Sequence, residues 1–406
     1  MTKIFTNARL ILPDSEQPED GRLIVDGDRI AAAGALTDDQ SGEEVDCKGR
    51  ILAPGIVDLG VFAIDKPAFR FGGITRAALM PDQSPVLDLP AMIKHNAVEG
   101  KPDLWSHPIA AATTGLEGKR LAEIGLMKRS GAKAVATGRQ WVADSGIMLR
   151  LLQYCKSLEL PLIVHSEDAG LTAGAVATNS ETATRLGLSS APAAAEAVSI
   201  ARDIALVRET RAHVHFRQVT TEAGLNLIRA AKSEGLPITC GITPAHLLLS
   251  DIAINDFRTF TRLSPPLRCE EDRLACIGAV KDGTIDVISS GHDPRGPEDK
   301  RLPYAEALPG MAGAETLLAL SLTLVRDGTV SIGRLFELLS TNPAKILGVE
   351  AGLLRPGYEA DFILLDEDSP WQVDTRKMAA TAGNTPFDGL PVQGRVNAIY
   401  KGGRAY

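Results

Sequence analysis

Seven histidines are the side chains of this 406-residue chain best suited to metal or acid–base chemistry, and they lie far apart, at His95, His107, His165, His213, His215, His246 and His292. His165 closes the apolar run Pro161-Leu-Ile-Val-His, with Glu167 and Asp168 just beyond it, and His292 sits in Ser289-Ser-Gly-His-Asp-Pro. A neutral imidazole could ligate a divalent metal or act as a general base. A zinc site, however, needs several His or carboxylate ligands converging on one point. The plainer reading of His165 is a partly buried histidine hydrogen-bonded to Glu167 or Asp168. His213 and His215 read as structural, His246 as capping or packing, and His95 and His107 as surface or loop residues. Arg217 and Arg295 could form an anion site, although lone arginines more often make solvated salt bridges. Gly72-Gly73 reads as a turn and Asp58 as structural.

Chemistry of this kind needs rigid elements to aim it. The middle of the chain alternates strand and helix patterns: Pro161 to Ser166, then helical spacing from Ala193 to Val207. Strand-like Ala212 to Val219, helix-like Glu222 to Glu234 capped by Gly235, strand-like Leu236 to Thr243 and strand-like Thr284 to Ser290 follow. Repeated units of this kind imply a parallel sheet with helices outside it, open or closed. Periodicity alone leaves a closed barrel and a doubly wound sheet as alternatives. In a barrel the chemistry belongs at the C-terminal strand ends, here Asp58 to Phe62, Pro81-Asp82, Thr137-Gly138, His165, Gln218, Thr243 to His246 and Gly291-His292. Both chain ends are β-rich. Arg22 to Asp26 and Arg29 to Gly34 flank the turn signal Gly27-Asp28, and Ala360 to Asp366 and Val396 to Tyr406 close the chain.

Composition narrows the class. A hydrophobic share of 44% and a charged share of 23% suit a soluble globular protein, and only 4% aromatics imply a core of Ala, Val, Ile and Leu. A net charge of −8 argues against a nucleic-acid partner. No run reaches the roughly 20 apolar residues of a membrane helix. The five cysteines are odd in number and form no C-x-x-C pair, as expected of reduced, buried thiols. A cytoplasmic protein without nucleic-acid or membrane partners is expected.

Many short segments resemble the dihydroorotases of the amidohydrolase superfamily, in family order over almost the whole chain. They include Ala53-Pro-Gly-Ile-Val-Asp58, Gly72-Gly-Ile-Thr75, Met80-Pro-Asp-Gln-Ser-Pro85, Gly115-Leu-Glu-Gly-Lys119, Val164-His-Ser-Glu-Asp168 and Arg185-Leu-Gly-Leu188. Pro192-Ala-Ala-Ala-Glu196, Thr243-Pro-Ala-His-Leu-Leu-Leu249, Pro265-Pro-Leu-Arg268, Asp282-Gly-Thr-Ile-Asp286, Ser340-Thr-Asn-Pro-Ala344 and Asn384-Thr-Pro-Phe387 follow. The resemblance implies an α/β fold, a (β/α)8 TIM-type barrel over residues 54–349, with a small β-sandwich built from residues 1–53 and 350–406.

It also implies a divalent metal pair, usually zinc, that opens or closes a cyclic amide by supplying hydroxide and polarising the carbonyl. The ligands it calls for are largely missing. Gly60 and Phe62 stand where the family has the histidines of its HxH motif, and Ile64 where it has a substrate-binding Arg. Thr137 and Gly138 stand in the region of the bridging carboxylate, Gln218 for the strand-six histidine and Gly291 for the late Asp. Only His165 remains. Asp82 replaces an Asn, Ser264 an Asn and Arg295 a His, and a carboxylate at position 82 would repel an anionic substrate. About ten residues separate Phe62 from Gly72, too few for a full crossover helix and its loops. The expectation is therefore no catalytic or metal-binding residue and no cofactor. Gly60, Phe62, Asp82, Thr137, His165, Gln218, Ser264, Gly291, His292 and Arg295 are then vestigial positions. Fold-keeping residues Gly55, Pro265, Asn342 and Pro343 persist.

The resemblance further implies a partner. A non-catalytic dihydroorotase-like subunit would support the assembly of aspartate carbamoyltransferase through its catalytic chain, and the protein would itself be a homo-oligomer. The alternatives are an active, zinc-dependent dihydroorotase with unusual ligands and a metal-free enzyme using Asp82, His165 and Arg295. A third is a structural homo-oligomer resembling the non-catalytic dihydropyrimidinase-like proteins.

Overall fold

The structure, a computed structural model, describes residues 2–35 and 41–406. Eight parallel strands make the barrel. The first four are Ile56–Val61, Ile74–Leu79, Trp105–Pro108 continued by Ala110–Ala111, and Val135–Ala136. Leu162–Val164, Val214–Phe216, Ile238–Ile242 and Val287–Ile288 complete it. Closure comes at the first and eighth strands. The Phe62 N–H donates to the His292 carbonyl at 2.8 Å, and the Ser290 N–H donates to the buried Asp58 carboxylate at 3.0 Å. Asp58 is thus structural, as its sequence context implied.

Small and branched side chains fill the barrel, among them Val57, Leu59, Ala78, Ala134, Ala136, Ile163 and Val287, with Phe62 at the top of the stack. The outer helices show why they form. Ser145–Ser157 buries Ile147, Met148, Leu151, Leu152 and Cys155 on one stripe, and Asp144 caps it by accepting from the Ile147 N–H. Thr221 caps Glu222–Ser233 in the same way. Asn342 ties its helix to the barrel by donating to the Asp286 carbonyl at 2.9 Å. Gly55 is needed for closeness, since a Cβ there would lie 2.4 Å from the Thr75 side chain.

One expectation is corrected. The span between Phe62 and Gly72 does hold a crossover helix, Lys66–Gly72, of two turns. It fits because both ends are sharply capped. Asp65 accepts from the Ala68 N–H, and Gly73 adopts φ +78°, a left-handed conformation that suits glycine.

Strands from both termini share one eight-stranded sheet. Thr2–Leu10, Glu19–Asp26, Arg29–Gly34, Glu43–Asp46 and Ile51–Pro54 come from the start of the chain, and Phe362–Gln372, Pro391–Lys401 and Arg404–Ala405 from its end. Gly27-Asp28 makes the turn of a hairpin in which Asp26 faces Arg29. The rings of Phe5, Phe362 and Tyr400 pack together, with centroids 4.6–5.0 Å apart.

A buried charge cluster joins this sheet to the barrel. Arg76 bonds Asp361 at 2.9 Å and also reaches Glu359, while Lys401 meets Asp361 at 2.9 Å and Glu359 at 2.6 Å. His107, expected on the surface, is buried in the third barrel strand with Nε2 3.5 Å from Arg76. Burial first, then the neighbouring cations, push its pKa down to about 3, so it is neutral at ordinary pH. His95 is exposed on a helix. All five cysteines are free, and four of them are buried. Among the described residues no helix is long and apolar enough to cross a membrane.

Candidate functional site

The strand ends meet at the barrel mouth, and Phe62 lies across it. The chain reaches Phe62 through Gly60 at φ +107°, where a Cβ would sit 3.5 Å from the Arg217 side chain. Two guanidinium groups flank the Phe62 ring. Arg139 lies 3.6 Å from its centroid and Arg217 5.1 Å, both in cation–π range. Arg139 pairs with Asp293 at 2.8 Å, and its N–H donates to Asp82 at 2.9 Å. The Asp82 charge is therefore answered by Arg139 rather than left facing the mouth unopposed.

His165 is 6% exposed. Its Nδ1 lies 3.4 Å from Arg217 Nη2 and its Nε2 3.4 Å from Glu167. The guanidinium can only donate, so these partners assign the proton to Nε2 and leave no free lone pair on the ring. The Glu167 partner is one of the two the sequence suggested. Thr137 accepts the His165 N–H at 3.2 Å and so fixes the fifth strand.

Below the mouth three motifs that are far apart in sequence converge. Arg268 donates to Glu167 at 2.8 Å and to the Thr220 hydroxyl at 2.9 Å, and lies 3.6 Å from Glu196. Glu196 accepts the N–H and hydroxyl of both Thr220 and Thr221. Burial pushes the Glu196 carboxyl up, while Arg268 and these donors work against that. Burial acts on Glu167 in the same direction, but the His165 bond and the Arg268 charge outweigh it and hold its pKa at about 2. The sign follows. A carboxyl lowered from 4.5 to about 2 adds stability that is complete above 4.5 and lost as pH falls toward 2. The amount is about 3 kcal/mol. Urea unfolding should show a falling midpoint from about pH 5 to about pH 2, with a shallower fall in Glu167→Gln. Equal slopes would remove Glu167 from the acid response.

The remaining candidates divide. Gln218, Ser264 and Gly291 line a hollow at the mouth together with Phe62, Arg217 and His246. Gly291 sits at φ +58°, with any Cβ 3.1 Å from Thr243. His246 accepts from the Thr243 hydroxyl at 2.8 Å and donates to the Pro265 carbonyl at 3.0 Å, a packing role. His292 points elsewhere. It is fully buried against Phe69, with Nδ1 accepting the Ala314 N–H and Nε2 3.6 Å from Asp65. Arg295 is held by Asp293 at 3.2 Å and Asp299 at 3.6 Å, while Arg217 is taken up by Phe62 and His165. Each arginine thus has its own partners. Arg139 and Asp293 also belong to the mouth, although no motif in the sequence singles them out. The available signal was their charge beside the strand ends Thr137-Gly138 and Gly291-His292.

The hollow holds about 30 Å³, room for one water. Small-molecule sites run to roughly 300 Å³ or more. Larger clefts in this chain lie away from the strand ends.

Residues 106–406 match the sequence model of the Amidohydrolase family. The dihydroorotase of Geobacter metallireducens is 34% identical over 419 residues, covering 100% of this chain and 99% of that protein. The dihydroorotase of Pelotomaculum thermopropionicum is 38% identical over 397 residues, covering 94% and 92%. The chain belongs to the dihydroorotase family. In three dimensions it is similar to the L-hydantoinase (dihydropyrimidinase) of Arthrobacter aurescens, with TM-score 0.87 and 25% identity over 99% of this chain and 95% of that one. The dihydropyrimidinase of Brevibacillus agri superposes with TM-score 0.86 at 21% identity, over 100% and 95%, a likeness of fold.

A zinc pair is the group this family implies, and the donors present in this dihydroorotase-family chain do not fit it. Among the described residues no three of His, Cys, Asp or Glu come together as ligands. His165 has both ring nitrogens engaged, one of them by a cation.

Proposed function

We propose that this chain is a non-catalytic, cytoplasmic dihydroorotase-like protein of pyrimidine biosynthesis, retained as a structural subunit that supports the assembly of aspartate carbamoyltransferase. The observation that carries the reading is the filled mouth. Phe62, held between Arg139 and Arg217, occupies the strand ends where substrate and metal would meet, and leaves a hollow of about 30 Å³. The barrel interior and the Glu167–Arg268–Glu196 network beneath it are fully built. A scaffold complete in packing and poor in donor atoms suits selection on shape and surface. A metal-free reaction through Asp82, His165 and Arg295 gains no support, since Asp82 and Arg295 are bound to partners other than His165.

Two results are expected. Elemental analysis of protein purified without chelator should give far less than one zinc per chain, and assays with dihydroorotate and carbamoyl aspartate should give no turnover above a blank. Zinc near one or two per chain with turnover would make the chain an active dihydroorotase with unusual ligands.

The second result concerns assembly. Light scattering at near-physiological salt should show this chain as a homo-oligomer when alone. Mixed with aspartate carbamoyltransferase catalytic chains, it should form a particle much larger than a transferase trimer. Such a contact should bury at least roughly 800 Å² per partner. Two unassociated species, with the transferase fully assembled alone, would end the scaffold reading and favour a structural homo-oligomer.

A further inference from the structure

At the opposite end of the barrel from the mouth lies a cleft of about 650 Å³, within the range of small-molecule sites. It opens between the N-terminal ends of the fourth to seventh strands and the ends of the surrounding helices. Its rim carries Lys128, Lys133, Lys156, Arg211 and Lys345, against the single carboxylate of Glu159. That is a strong local excess of positive charge on a chain whose net charge is −8. Its floor is apolar, formed by residues such as Leu160, Pro161, Pro237 and Ile346.

Cations near helix C-termini have an ordinary explanation, because the last carbonyls of a helix attract them. By position it covers four of the five, since Lys156 and Lys345 stand in the last turns of their helices, and two of the four also bond a terminal carbonyl directly. Lys128 donates to the Leu158 carbonyl at 2.5 Å and Arg211 to the Gly235 carbonyl at 3.1 Å. Lys133, Lys156 and Lys345 are exposed, and among the described residues their ammonium groups have neither a hydrogen bond nor an ion pair. Like charges lining a concavity focus the field and concentrate anions there.

We propose that this cleft binds a nucleoside polyphosphate, with the phosphates on Lys133, Lys156 and Lys345 and the base on the apolar floor. Lysine serves such a ligand as a flexible point charge. The combination of a cationic rim and an apolar floor separates a nucleotide from bare polyphosphate, which would use only the rim.

Calorimetric titration of the intact chain with magnesium-free ATP, inorganic tripolyphosphate and adenosine tests this. At low salt ATP should bind saturably at one site per chain, more tightly than tripolyphosphate, and adenosine should give no signal. Affinity should weaken as salt rises toward about 0.15 M, where screening shortens to roughly 8 Å. The variant Lys133→Ala/Lys156→Ala/Lys345→Ala should lose at least about tenfold in affinity. A control, Lys48→Ala/Lys119→Ala/Lys377→Ala, makes the same change in net charge elsewhere and should bind as the parent does. Unchanged circular dichroism and melting in both variants confirm that they fold. No saturable ATP binding at low salt, or equal loss in both variants, overturns the site. Tripolyphosphate binding as tightly as ATP overturns the nucleotide assignment.

Discussion

The double variant Gly60→His/Phe62→His is expected to give no hydrolysis of dihydroorotate above a blank, no bound zinc, and a fold weaker by about 3–5 kcal/mol. Two separate costs produce the instability. Position 60 sits at φ +107°, where a side chain is strained even though its Cβ would meet the Arg217 side chain at an ordinary contact distance of 3.5 Å. Phe62 is 8% exposed, and its ring fills the space between two guanidinium groups. A smaller, polar imidazole would leave a gap beside two cations that would also oppose its protonation or metal binding. The two new histidines would still stand alone. Gln218 and Gly291 supply no ligand of the required kind, and groups that act as a unit return almost nothing as a partial set. Zinc-dependent hydrolysis in this variant, at any rate well above the blank, would show that the mouth is far closer to a working site than its geometry indicates. Urea unfolding measures the stability loss independently of activity.

Arg268→Met should destabilise the protein by about 3–5 kcal/mol, the usual cost of leaving a buried charge uncompensated. Arg268 is 2% exposed and is the cation shared by Glu167, 6% exposed, and Glu196, 0% exposed. Methionine keeps most of the volume but removes every donor. Both carboxylates then lose their charge partner, while the Thr220 hydroxyl loses a bond at 2.9 Å. Adding Glu167→Gln to Arg268→Met should recover part of the loss, because it removes one of the two stranded charges. The comparison separates electrostatics from packing: a void or misfit would not respond to neutralising Glu167. An Arg268→Met unfolding midpoint within about 1 kcal/mol of the parent would mean that this network does not hold the strand ends together.

Much of this protein can be read without coordinates. Alternating strand and helix patterns, with β-rich ends, announced a parallel sheet and a second sheet, and the ordered motifs closed the first into a barrel. Which residue types stand at the positions the resemblance assigns to ligands is equally plain, because donor chemistry belongs to the residue itself. A glycine at 60 or 291 has no ligand atom in any fold. The crossover was misjudged for a physical reason: residue counts say how far a chain can reach, but Asp65 and Gly73 let a two-turn helix start and stop within the available length. His107 was misplaced because its burial depends on Arg76 and Lys401, far away in sequence. Glu167 and Arg268, 101 residues apart, were visible only as separate motifs. What only the tertiary structure decided is therefore a matter of contacts. Arg139 and Arg217 close on Phe62, three motifs join in one ion network, His292 turns toward Asp65, and three lysines around a cleft have no partner among the described residues. Residue type sets what an atom can do, whereas the path of the chain sets which atoms it meets.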